Sequence, residues 1–222
     1  MTNLREKLTF FLDSIIVFKN IRNGEILSSL SRFLKNRTDD NSLSINLYCE
    51  FVEKVYKGGC DFGKYLYKSV MEDDNIFIRL CADKKNIPEV LYRDVKRELE
   101  IFEFLSSISP EELLSFTEYE GELPEFINSK KSFISDYFDR ADNVHKLGYG
   151  IFFENTMFTY KNGRIIPLKS SDKRLPENLM GHEAERSMVI ENTTALINGK
   201  PSLNVLLYGD AGTGKSSTVK TV

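Results

Sequence analysis

"VLLYGDAGTGKSST", Val205 to Thr218, joins an apolar run, a glycine-rich turn and a polar helix start. The run Val205-Leu206-Leu207-Tyr208 is short, lies between turn signals and does not alternate apolar with polar residues. That pattern predicts a strand over Asn204–Tyr208, of the parallel kind buried on both faces. Gly209, Asp210, Ala211, Gly212, Thr213, Gly214, Lys215 and Ser216 then fit G-x-x-x-x-G-K-[ST], a phosphate loop. Gly209, Gly212 and Gly214 let the main chain turn so that successive N–H groups converge on an anion. The helix expected after Gly214 adds unpaired amides and the positive end of its dipole. Lys215 is expected to reach the β- and γ-phosphates of a nucleotide, Ser216 to hold Mg²⁺, and Ser217 to touch the α-phosphate. A chance match in this length of chain is on the order of one in a hundred.

Working back from the loop, "HEAERSMVIENTTALINGKPS" predicts a helix of about fifteen residues. Ala184, Met188, Glu191 or Asn192, and Ala195 fall at helical spacing, and Asn198-Gly199 with Pro201 supply the stop. "KSSDKRLPENLMG" reads as a linker. "NTMFTYKNGRIIPL" carries two short apolar runs around Asn162-Gly163, a dipeptide suited to the positive φ angles of a two-residue hairpin. Strands are expected near Thr156–Tyr160 and Arg164–Leu168.

The first 150 or so residues read as mainly helical. Leu4, Leu8, Phe11, Leu12 and Ile15 form one stripe, as do Leu27, Leu30 and Leu34, and then Leu47, Phe51 and Val55 before Gly58-Gly59. "DFGKYLYKSVM" and "NIFIRLCAD" predict shorter helices. A long one from about Pro88 to Ser107 carries Val90, Leu91, Val95, Leu99, Phe102 and Leu105. In "SPEELLSF", Ser109 can cap, Pro110 suits the first turn and Glu112 can reach back to complete a capping box. This part offers no catalytic constellation.

Composition narrows the class further. A length of 222 residues suits one large or two modest domains. The net charge of −3 argues against whole-surface attraction to nucleic acid or anionic lipid. From Glu98 to Glu125 there are nine Glu and no Lys or Arg, whereas Lys130 to Arg174 is net positive; both stretches read as solvated faces. Cys49, Cys60 and Cys81 lack metal-ligand spacing, and with only His145 and His182 beside them a zinc site is not expected. They read as reduced, mostly buried thiols of a cytoplasmic protein. Glu6 and Asp13 interrupt the apolar start, which is neither a signal peptide nor a membrane span.

With these residues in view, Leu179 to Val222 resembles AAA+ ATPases, and in detail a bacterial family of uncharacterised AAA+ proteins that pair a helical N-terminal region with one ATPase module. The likeness rests on Leu179-Met180-Gly181-His182, Glu191-Asn192-Thr193, Gly199 and Leu206 to Ser217, with Gly163 to Leu168 as the segment before the module. It is close over Gly150–Val222 and loose over the helical part. The resemblance implies that Leu179, Met180 and Gly181 lie beside adenine, that ATP and Mg²⁺ are the ligands, and that the parent protein is a ring oligomer acting on a protein or nucleic acid. His182 stands where the family has Tyr; its own chemistry favours a helix start over a ligand.

The expected architecture is a mainly α N-terminal domain (1–150), a β-hairpin and linker (151–178), and the incomplete start of an α/β P-loop NTPase domain (179–222). An AAA+ module also needs an acidic motif, a sensor residue and a neighbour's arginine, all after the loop. The chain is therefore expected to be a piece of a longer protein, monomeric or dimeric, that binds ATP without hydrolysing it and has no catalytic residue of its own. Its strand, lacking sheet partners, is expected to fray or to pair with the hairpin or another chain. The competing reading is a helical interaction module with an inert loop as its tail.

Overall fold

The computed structural model describes residues 3–37, 40–155, 157–168 and 181–221. The chain divides into two units, Met1–Glu154 and Asn155–Val222.

Unit 1 is helical throughout its regular structure. Its elements are α1 (Leu4–Asp13), α2 (Lys19–Arg22), α3 (Glu25–Lys35), α4 (Asn41–Lys57), α5 (Phe62–Glu72), α6 (Ile76–Ala82), α7 (Glu89–Leu105), α8 (Pro110–Leu114), α9 (Ile134–Asp142), α10 (Val144–Leu147) and α11 (Ile151–Glu154). Short polar side chains start many of them. Asp40, Asp61 and Asn75 each accept the amide three residues on, at 3.2, 3.1 and 3.0 Å. At α8 the expected capping box is formed by Ser109 and Glu112. After α4 the left-handed turn falls on Gly59 (φ 107°) and Cys60 (φ 66°), while Gly58 keeps an ordinary negative φ. The amides of Gly59 and Cys60 donate to Tyr56 and Val55, which closes the helix end in a Schellman motif.

The apolar stripes of these helices meet in one core. Leu8, Leu12, Leu27, Leu30, Leu34, Phe51, Val55, Leu99 and Phe102 are all buried. At its centre the Phe18 ring meets Phe102 and Tyr137 edge-on, with centroids 5.4 and 5.3 Å away. Val90, expected on the buried stripe of α7, is exposed, and in that first turn Leu91 makes the contact with the core instead. The cysteines are free, but Cys60 is exposed and Cys49 and Cys81 are only half-buried.

Two polar fixtures hold segments that the helices alone would leave loose. Glu98 on α7, read from sequence as part of a solvated face, is fully buried. Its carboxylate accepts the amides of Ile16 (2.8 Å), Val17 (3.0 Å) and Phe18 (3.0 Å) in the turn between α1 and α2. The second fixture is Asp61, which accepts the amide and hydroxyl of Ser129 at 3.1 and 2.6 Å. Beside it the chain passes so close that a Cβ on Gly63 would lie 2.0 Å from the Ser129 carbonyl oxygen.

Unit 2 contains a hairpin of β1 (Phe158–Lys161) and β2 (Arg164–Pro167), antiparallel, with Thr159 opposite Ile166 and Lys161 opposite Arg164. Asn162 (φ 52°) and Gly163 (φ 77°) make the expected two-residue turn. Two helices follow, α12 (Glu183–Ile197) and α13 (Lys215–Thr221). The strand expected over Asn204–Tyr208 is not formed: residues 201–209 have no regular structure. A strand exists only through its ladder, and among the described residues the hairpin strands pair with each other alone. Among the described residues of unit 2, Thr218 is the one that is buried, so these residues form no apolar core of their own.

Candidate functional site

The loop from Gly209 to Lys215 has the shape that its glycines permit. Gly209, Gly212 and Gly214 take φ of 140°, 85° and 84°, a region costly for any residue with a Cβ. At Gly212 and Gly214 an added Cβ would meet no neighbour, so the requirement for glycine there is conformational and not one of space. Thr213 braces the turn by donating its hydroxyl to the Asp210 carbonyl at 2.9 Å. Where α13 begins, Thr218 returns both its amide (2.8 Å) and its hydroxyl (3.1 Å) to the Gly214 carbonyl.

Lys215 folds back across this turn. Its ammonium donates to the carbonyls of Gly209 (2.8 Å) and Asp210 (2.6 Å) and to the Thr213 hydroxyl (3.2 Å). Three acceptors match the three N–H donors of a lysine. Among the described residues, no protein acceptor meets the main-chain amides from Asp210 to Ser217. The result is a run of unused donors beside a fixed positive charge, an arrangement suited to an anion. Ser216 is exposed and Ser217 half-buried at the first turn of α13.

Of the residues expected beside a base, Leu179 and Met180 lie outside the described residues. Gly181 and His182 are described and both are left-handed, with φ of 78° and 55°. His182 is the N-cap of α12 without a side-chain capping bond, and it turns the chain into the helix.

Asn192 is a residue whose role the sequence did not reveal. From the middle of α12 its carboxamide donates to the Leu203 carbonyl (2.8 Å) and accepts the Leu203 amide (2.9 Å). It thus pairs with the extended segment as a strand neighbour would. An asparagine in a helix interior, where its propensity is poor, was the available signal.

Residues 153–222 match the model of a family described as "Protein of unknown function (DUF815)". None of the curated proteins and none of the solved structures matches the chain. No helix among the described residues is long and apolar enough to cross a membrane.

Proposed function

We propose that Gly209–Ser217 binds the triphosphate of Mg²⁺-ATP. The supporting observation is the run of unpaired amides from Asp210 to Ser217 with the Lys215 ammonium set across it. On binding, the ammonium exchanges loop carbonyls for the β- and γ-phosphate oxygens, Ser216 offers its hydroxyl to Mg²⁺, and Ser217 lies nearest the α-phosphate. Gly181 is assigned to the base side; Leu179 and Met180, expected there with it, lie outside the described residues. In this reading the loop belongs to an AAA+ ATPase module, of the kind that couples ATP hydrolysis to remodelling a protein or nucleic acid. The family match supports treating hairpin, α12, extended segment and loop as parts of one module, since it spans all four.

A second reading has one observation in its favour. Unit 1 carries a full apolar core and the described part of unit 2 carries none, so the helical unit could serve as an interaction module in its own right. Direct titration separates the two. Because core and loop lie in different units, melting temperature is a poor readout and calorimetric or fluorescent nucleotide binding is the appropriate one. Lys215→Ala is expected to weaken Mg²⁺-ATP binding at least tenfold, about 1.4 kcal/mol or more. Equal affinity in the variant, or none in the parent chain at millimolar nucleotide, leaves only the interaction module.

A further inference from the structure

We infer that Thr213 is a positioning residue for Lys215: its hydroxyl holds the ammonium where the phosphates are to meet it. This rests on the reading of the loop as an ATP site, and it uses only residues from Gly209 to Ser217. Among the described residues the ammonium has three acceptors, the carbonyls of Gly209 (2.8 Å) and Asp210 (2.6 Å) and the hydroxyl of Thr213 (3.2 Å). Two of these are main chain, on a course that the glycine φ angles set. The third is a side chain, and so the one that sequence can tune.

A hydroxyl carries a single hydrogen. Thr213 directs it to the Asp210 carbonyl at 2.9 Å, which leaves its lone pairs to the ammonium. The Thr213 hydroxyl, the Asp210 carbonyl and the Lys215 ammonium thus form a closed triangle in which every pair is hydrogen-bonded. Displacing the ammonium breaks two sides of it at once. A lysine stem is among the costlier side chains to immobilise. The triangle restrains it in advance, so the charge stands ready beside the unused amides from Asp210 to Ser217. Thr213 acts on the phosphates through Lys215 and has no need to touch them with its side chain. It is exposed, so its replacement disturbs no packed core.

The test is calorimetric titration of the full 222-residue chain with Mg²⁺-ATP. Thr213→Val keeps the branched shape and deletes the hydroxyl; it is expected to weaken binding about fivefold. Thr213→Ser returns the hydroxyl and should rescue affinity to within about twofold of the parent. A double-mutant cycle then separates positioning from loop support. On a Lys215→Ala background Thr213→Val should cost less than about twofold, because no ammonium remains to be positioned. The full loss repeated on that background overturns the proposal, since the hydroxyl then acts on loop shape through Asp210 alone. Unchanged or tighter binding by Thr213→Val on the parent background overturns it too, because the hydroxyl is then idle or competes with the phosphates. A parent chain that binds no Mg²⁺-ATP at millimolar concentration removes the site itself; a parent that binds while the two losses simply multiply removes only the role of Thr213.

Discussion

Asp61 shows how a single carboxylate can govern acid stability. Burial pushes its pKa up, but hydrogen bonds from the Ser129 hydroxyl and from the Lys64 and Ser129 amides, with the Lys64 ammonium 3.3 Å away, outweigh burial and hold it at about 2. A carboxylate whose pKa is depressed in the folded state stabilises above its unfolded value and loses that contribution as pH falls. For Asp61 the window runs from about pH 4 down to about 2 and is worth about 2 kcal/mol. Asp61→Asn, which keeps a good N-cap, should lower neutral-pH stability by about that amount. Subtracting its urea-denaturation profile from the parent's should give a difference that vanishes towards pH 2. A constant difference across that range would show that Asp61 does not carry the acid transition.

Among the elements, α7 illustrates both what sequence discloses and what it hides. Val95, Leu99, Phe102 and Leu105 declare their buried face by spacing, and all four are buried. Glu98 sits among them and reads as one more charge in an acidic run, because the amides that its carboxylate accepts, alongside the neighbouring Arg97 guanidinium at 3.4 Å, lie some 80 residues away in sequence. Local signals behaved differently: Ser109 with Glu112, and Asn162 with Gly163, state their geometry within four residues and adopt it. The loop belongs with these, since its glycines fix its φ values locally. The run from Val205 to Tyr208 does not, since a strand depends on a partner that no property of the run can supply. Glu98→Gln tests the long-range case. An amide nitrogen facing main-chain donors forfeits at least one charge-assisted hydrogen bond and leaves donors buried and unpaired, so unit 1 should lose about 3 kcal/mol in urea denaturation. A loss under about 1 kcal/mol would mean that the clamp is dispensable.

At the scale of the molecule, the two units should differ in how they protect their amides. Unit 1 closes its helices over a continuous apolar core, whereas the described part of unit 2 has bare helix faces, a hairpin of two four-residue strands and an extended run without a ladder. Opening costs track buried apolar contact. Hydrogen exchange is therefore expected to be slow across α4, α5 and α7 and near the unprotected rate from Asn204 to Tyr208, with Leu203 held back by Asn192. Comparable protection in both units would require packing of unit 2 that the described residues do not show. Saturating Mg²⁺-ATP should slow exchange from Asp210 to Ser217 and leave α4 unchanged.

The Glu98 clamp also bears on the order in which a ribosome delivers this polypeptide. The turn at Ile16–Phe18 emerges early, but the carboxylate that receives its three amides is made 80 residues later. Until α7 clears the exit tunnel, α1 has no lock and its leucines no finished surface to meet. Nascent chains arrested before Glu98 emerges should thus be cut by protease around Asp13–Lys19, and chains arrested well beyond Leu105 should resist. Early resistance would place the lock elsewhere. For the opening helix, translation is a wait for one side chain.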